Sequence, residues 1–423
     1  MWSAPPAERG FFPLDEELEL PMGSLSPRLA ESVGLLGTLI PFEQVPATLV
    51  FFSRVEIDQD TARRRTEAAG GALVQVEKAE VERIERECPP VPPGPAIQQL
   101  SADGAMVPLV HGEWAEVKTL VIGTVGERVE GDGSPAAHTG ELSYFSRLTD
   151  AQTFTRLATG EVHRRGTKRA GEVCAVMDGA EWLHRLVDEH RPDAVRILDF
   201  PHAAEHVSSA AHAVFGAGTA AASEWLGVQF HVLKHGDPDQ LLAALRALPV
   251  ETADRPEETQ AVRDAVVGYL EKRRGQIEYA EFLQRGYPIG SGAVESANKV
   301  LVEARLKGSG MHWARINVDP MLALRAALRS GRWTQAWAQI TGQLRCEAAL
   351  RKGRRREARH PVDREAIVAP PAQPSASAAK PKRPPAIRPE PKGLMVNGRP
   401  TPNHPWKKPL SRAHVANASR AKL

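Results

Sequence analysis

The chain is poor in cysteine. Its 423 residues include only Cys88, Cys174 and Cys346, far apart and without CxxC spacing. That argues against a disulfide framework and a thiolate zinc site, and it fits a reducing compartment. Aromatic residues are also scarce, at 5%. Sugar clefts usually need aromatic platforms, so the acids described below are poor candidates for paired-carboxylate glycoside hydrolysis. No apolar run approaches the ~20 residues that cross a bilayer, and no charged-then-apolar leader opens the chain. A cytoplasmic protein is expected. The chain also lacks a strong charge of one sign, its net charge being +2. The basic residues are instead concentrated late, with Lys307, Arg315, Arg325, Arg329 and Arg332 followed by Arg351–Arg359 and, in the tail, Lys380, Lys382, Arg383, Lys407 and Lys408. A basic segment beside an acidic site suits a polyanionic substrate drawn toward metal.

What the chain does have is three acids in three islands. Asp103 closes the extended run Ile97-Gln-Gln-Leu-Ser-Ala-Asp103-Gly104, and Asp178 closes the apolar run Val173-Cys-Ala-Val-Met-Asp178-Gly179. Glu295 lies in Pro288-Ile-Gly-Ser-Gly-Ala-Val-Glu295-Ser-Ala-Asn298, where a glycine turn opens onto a helical pattern. Singly, an Asp-Gly pair is most often a turn, and a Glu in a first helical turn is favoured by the helix dipole. Together, two strand-end Asp residues and a Glu on a later helix read as a carboxylate cluster. Hard oxygen donors of this kind suit Mg²⁺ or Mn²⁺, and pairs of such ions about 3.5–4 Å apart serve phosphoryl transfer.

The pattern along the chain divides it. Residues 1–24 are Pro- and Gly-rich and read as irregular. Residues 25–88 read as a helical, helix-turn-helix-like DNA-binding domain. In it Ser26-Pro27 starts one helix, a second runs from about Phe42 to Phe52, and Asp58 caps a third that carries Arg63, Arg64 and Arg65 and stops at Gly70-Gly71. A charged helix from Val74 to Glu87 follows, then the stiff tract Pro89–Pro95 as a linker. Strands are expected at Ile97–Pro108, at Glu113–Gly123 after a turn near Gly112, and near Leu142–Leu148. Helix 150–164, the strand ending at Asp178, helix 180–189, the strand Ala194–Asp199 and a helix from about His202 complete the order β-β-β-α-β-α-β-α. That order is the layout of an α/β ribonuclease-H-like domain with a mixed sheet, spanning 96–350 here, with an all-helical insertion at about 203–285. Residues 351–423 read as a basic, mostly disordered tail.

Several tracts resemble a known family. Ser-Ala-Asp103-Gly104, Met-Asp178-Gly179-Ala-Glu-Trp182, Leu-Asp199-Phe-Pro-His202-Ala-Ala-Glu205-His206, Tyr287-Pro-Ile-Gly-Ser-Gly-Ala-Val-Glu295-Ser-Ala-Asn298-Lys299 and Lys307-Gly-Ser-Gly-Met-His-Trp313 are similar to bacterial insertion-sequence transposases of the ISKra type, related to Mutator-like DDE enzymes. The likeness runs from about Gly10 to Trp406. It implies cleavage of transposon ends and their joining to target DNA, with Asp103, Asp178 and Glu295 as catalytic acids holding two Mg²⁺ or Mn²⁺ ions. It implies a supporting Asp199 and His202, because an Asp or Cys, two residues and a His follow the second catalytic acid in that group. Asp199 also ends a strand and stays a rival to Asp178. Lys299, Arg305 and Lys307 are candidate phosphate contacts, with a solvated helix face as the alternative, and Trp182 and Trp313 are candidate stacking residues or core. The partners implied are terminal-repeat and target DNA, bound by a homo-oligomer. Such relatives usually carry a cysteine-bearing segment ahead of Gly10-Phe-Phe-Pro-Leu-Asp-Glu-Glu17, which Met1–Gly10 lacks. That departure leaves a shortened, non-mobile DNA-binding regulator as the competing expectation.

Overall fold

Helix starts follow the capping signals. The Ser26 hydroxyl accepts from the Leu29 amide ahead of α1 (Pro27–Leu39), α2 spans Gln44–Ser53, and the Asp58 carboxylate accepts from the Thr61 amide at 2.7 Å to open α3 (Gln59–Glu87). In this computed structural model, which describes residues 25–129, 135–359, 395–396 and 399–400, Gly70 and Gly71 do not stop a helix. They lie inside α3, which is continuous to Glu87. The reason for Gly70 is tertiary, because a Cβ there would stand 2.3 Å from the Pro320 carbonyl oxygen. Expectations for residues 1–24 and for most of the tail lie outside the described residues.

β1 (Ile97–Pro108), β2 (Trp114–Val129) and β3 (Pro135–Arg147) form an antiparallel meander. β2 and β3 are longer than expected. Gly123 does not end β2; it sits at a register shift between Ile122 and Thr124, where glycine often marks a bulge. After α4 (Ala151–Arg164) the chain enters β4 (Glu172–Met177), which pairs parallel with β1; after α5 (Glu181–His190) it enters β5 (Val195–Leu198), parallel to β4. The result is a five-stranded mixed sheet in the order β3-β2-β1-β4-β5, in an α/β fold.

The helical block follows as α6 (Phe200–Phe215), α7 (Ala220–His235), α8 (Pro238–Arg246), α9 (Pro256–Glu271) and α10 (Tyr279–Gln284). Then come α11 (Gly292–Ala297), a π-helical segment Asn298–Glu303, α12 (Ala304–Leu306), α13 (Arg315–Arg329) and α14 (Trp333–Arg359). α14 therefore carries regular helix into the segment read as tail. Even-numbered β1 residues Leu100 and Ala102 share one core with Phe154 of α4 and Leu186 of α5. The odd-numbered Ala105 and Val107 face Val294, Leu301 and Met321. On that same face, over β4 and β5, Cys174, Val176 and Ile197 pack against the helical block through Val207, Leu241 and Leu270.

Residues 25–88 pack directly on this body, Ala69 and Leu73 of α3 sharing a core with Leu324 and Ile340. Met1–His360 is one unit and Pro361–Leu423 another. In the latter the described residues are the short pair β6 (Met395–Val396) and β7 (Arg399–Pro400). No described helix is long and apolar enough to cross a membrane.

Candidate active site

Strand register sets the acids in line. Leu100 pairs with Ala175 in the β1–β4 ladder, and Met177 pairs with Leu198 in the β4–β5 ladder. Carried forward, the first register brings Asp103 level with Asp178, and the second brings Asp178 level with Asp199. Neighbouring strands are about 4.8 Å apart and side chains alternate between faces, so the three acids fall on one face, the one shared by Gln99, Ser101, Cys174, Val176 and Ile197. The β1–β4 ladder ends at Leu100 and Ala175. The β1–β4 pairing stops short of the acids, and the carboxyl ends of parallel strands are where α/β sheets bind ligands. Asp103 itself is not at a strand end. It sits inside β1, paired with Thr119 of β2.

The Glu295 tract is strapped across this line. Phe200 N donates to the Ile289 carbonyl at 2.9 Å, Ser291 N donates to Asp199 Oδ1 at 2.6 Å, and Gln99 Nε2 reaches the Gly290 carbonyl at 3.5 Å. At the other end Asn298 Nδ2 donates to Asp103 Oδ2 at 2.9 Å. Between these anchors the Ser291 hydroxyl donates to Glu295 Oε1 at 3.3 Å. The π-helical turn then begins at Asn298. Irregular turns of this kind leave carbonyls in need of donors, and Arg325 supplies them. Its Nε donates to the Leu301 carbonyl at 2.6 Å, Nη2 donates to that of Val300, and Nη1 donates to Thr38 of α1 at 2.7 Å.

The four acids differ in environment. Asp103 is half-buried, and burial raises its pKa. Asp178 and Glu295 push the same way, while hydrogen bonds from Gly104 N and Asn298 oppose them. Asp199 is 5% exposed, and burial first, with a contribution from Glu295, raises its pKa. Its carboxylate is spoken for, accepting from Ser291 N and from His202 N, the latter at 3.2 Å as the cap of α6. Asp178 and Glu295 are exposed. The donor set is therefore hard carboxylate oxygen, and the Asp178 and Glu295 charges beside Asp103 add to its raised pKa, a repulsion that a divalent cation relieves. Asn298 Oδ1, on a residue 7% exposed, is buried without a hydrogen-bond partner beside Asp103. As positioned, no three His, Cys, Asp or Glu side chains among the described residues form a ready-made metal cage.

The basic candidates separate. Lys299 is exposed next to Asn298, and Lys307 pairs with Glu303 at 3.1 Å. Arg305 is not available to DNA. It is 2% exposed, donates twice to the Gly37 carbonyl at 3.2 Å, and stacks on Phe42 and Trp313. Burial pulls its pKa down to about 10, which leaves it charged at neutral pH. Arg325 is buried as well. Arg63 is tied to Asp60 and Glu67, and Arg64 to Asp60, within α3; Arg64 is exposed and Arg65 half-buried. Trp313 is core, its Nε1 donating to the Leu306 carbonyl at 3.1 Å, and Trp182 packs edge-on against Phe154. The His202 ring faces His206 at 4.9 Å, with Nδ1 3.9 Å from Glu205.

Sequence reasoning missed Ser291, Asn298, Tyr269 and Arg273, the last two of which donate to the Asp178 and Gly179 carbonyls. The first two were visible only as flanks of Glu295, and the other two lie in a helical block with no local signal. No family model matches this chain, and no curated protein does either.

Proposed function

We propose that the chain is a DDE-type DNA transposase with a ribonuclease-H-like catalytic body, cleaving the ends of its element and joining them to target DNA. The observation that carries this reading is the pinning of the Glu295 tract at Asp199 and at Asp103, above a sheet whose β1–β4 and β4–β5 registers, extended past their last pairs, bring Asp103, Asp178 and Asp199 level. The strand order 3-2-1-4-5 supports it, as does the resemblance of the Asp103, Asp178, Asp199 and Glu295 tracts to insertion-sequence transposases.

Asp103, Asp178 and Glu295 are the acids that would hold divalent cations, Mg²⁺ or Mn²⁺. Asp178 and Glu295 are exposed and each accepts one local hydrogen bond on one oxygen, from Ala180 N and from the Ser291 hydroxyl, whereas Asp199 spends both oxygens on Ser291 and His202. That division favours Asp178 over Asp199 as the second catalytic acid and leaves Asp199 as the clamp that seats the Glu295 tract. Bound cations of this class activate a water or a 3′-hydroxyl and neutralise charge on the leaving oxygen. Asn298 orients Asp103, and the Ser291 hydroxyl orients Glu295. A Cβ at Gly290 or Gly292 would have no protein neighbour within 4 Å. Protein packing does not require glycine at either position, and the open space there leaves room for a substrate backbone. Exposed Lys299 contacts phosphate, and the active form is a homo-oligomer on paired ends.

The test is nicking of labelled DNA carrying the element's terminal repeats, with Mg²⁺, by the parent protein and by Asp103→Asn, Asp178→Asn, Asp199→Asn and Glu295→Gln. The reading requires loss of cleavage with retained DNA binding for the Asp103, Asp178 and Glu295 changes. Undiminished cleavage by Glu295→Gln refutes it, and a parent protein with no metal-dependent nicking does the same.

A further inference from the structure

The turn bearing Asp178 is held from outside its own strand. Tyr269 Oη donates to the Asp178 carbonyl at 2.8 Å, and Arg273 Nη2 donates to the Gly179 carbonyl at 2.8 Å. These donors come from α9 and the turn behind it, 91 and 94 residues further along the chain. The pair is itself braced. The Arg273 guanidinium lies 3.8 Å from the Tyr269 ring centroid, and Nη1 donates to the Tyr269 carbonyl at 3.3 Å. His206 also stacks on the Tyr269 ring, at 4.0 Å with planes 24° apart. Gly179 takes φ +85°, and a Cβ there would stand 2.6 Å from both Arg273 Nε and Tyr269 Oη. The clasp and the glycine thus require each other. Two successive carbonyls are fixed, while the Asp178 carboxylate takes only the local bond from Ala180 N at 2.9 Å and stays exposed.

This division of labour is what a positioned ligand needs: a fixed backbone and free oxygens. We propose that Tyr269 and Arg273 are positioning residues for Asp178, so that the helical block between β5 and the Glu295 tract sets where the second acid stands. The proposal rests on the transposase reading for its consequence and on the clasp geometry for its cause.

The experiment uses full-length Tyr269→Phe, Arg273→Ala and Arg273→Lys proteins with three readouts. These are hydrogen exchange of the peptide covering 172–184, Mn²⁺ half-saturation followed by the Mn²⁺ electron-spin signal, and nicking across a Mn²⁺ series. Loss of one such hydrogen bond is expected to speed exchange at 178–180 and raise Mn²⁺ half-saturation by roughly 3–10-fold. Melting should stay within about 2–4 °C of the parent. Nicking should return toward the parental rate as Mn²⁺ is raised, and Arg273→Lys should fall between parent and Arg273→Ala. Unchanged exchange and unchanged half-saturation in an active background overturn the proposal. So does a loss that follows the melting temperature and is not rescued by Mn²⁺. A parent protein that neither binds Mn²⁺ nor nicks DNA overturns the transposase reading instead, and the exchange measurement still decides the clasp.

Discussion

The Asn298 side-chain amide donates to Asp103 Oδ2 at 2.9 Å, tying the helix that follows Glu295 to the middle of β1. Hydrogen bonds to charged groups contribute about 1.5–3 kcal/mol. Asn298→Ala should therefore lower single-turnover nicking by roughly 10–100-fold while terminal-repeat binding persists. Asn298→Asp should be worse, because it sets a further carboxylate against Asp103. Nicking by Asn298→Ala within twofold of the parent would remove Asn298 from the site.

The acid line predicts an unusual pH dependence. Asp103 and Asp199 both have pKa values raised above the 3.8 of a free Asp. The folded chain holds these protons to higher pH than the unfolded chain does. Stability therefore falls as pH rises from about 3.8 through the folded pKa, and the penalty persists above that window. Asp103→Asn removes one such charge. It should raise the melting temperature of metal-free protein by about 2–4 °C near pH 8 and progressively less toward pH 4, while abolishing nicking. An equal gain at both ends of the range would show that charge repulsion is not the cause.

Lys299 and Arg305 sit six positions apart and should behave oppositely. Lys299→Ala should leave urea unfolding unchanged and reduce the salt slope of DNA binding by about 1, the signature of one lost phosphate contact. Arg305→Ala removes the bonds to Gly37 and the stacking on Phe42 and Trp313. It should cost about 2–4 kcal/mol of stability with no change in salt slope for the folded fraction. A reversed pattern would put Arg305 back on the DNA surface.

These contrasts mark what the residues reveal by themselves. The Asp58 cap and the element order from β1 to α6 were legible, because capping and apolar alternation act over a few residues. The four acids stood out only as candidates, Asp178, Asp199 and Glu295 at a change of pattern and Asp103 inside β1. Their alignment needs two strand registers at once, which no local pattern carries. Arg305 looks like any helical arginine until Gly37, 268 residues away, accepts from it. Gly123 looks like a strand end, but a Cβ there would meet Thr139 at 2.5 Å inside the sheet. Tyr269 and Arg273 serve Asp178 across the helical block, and nothing near them in sequence announces it.

Gly70 and Gly71 offer the sharpest test of that distinction. Both look like helix stops, and both lie within α3. At Gly70 a Cβ would stand 2.3 Å from the Pro320 oxygen and 2.7 Å from its Cα, backbone atoms of α13 that cannot step aside. At Gly71 nothing lies within 4 Å. Alanine is favoured over glycine in a helix interior by about 1 kcal/mol, so Gly71→Ala should stabilise by that amount. At Gly70 the same propensity gain is outweighed by overpacking of about 1–3 kcal/mol or more, and α3 must move off α13. Urea unfolding of the two single variants should therefore give changes of opposite sign. If both stabilise, the close approach of α3 to Pro320 is wrong, and with it the packing of the N-terminal helices on the body that holds Glu295.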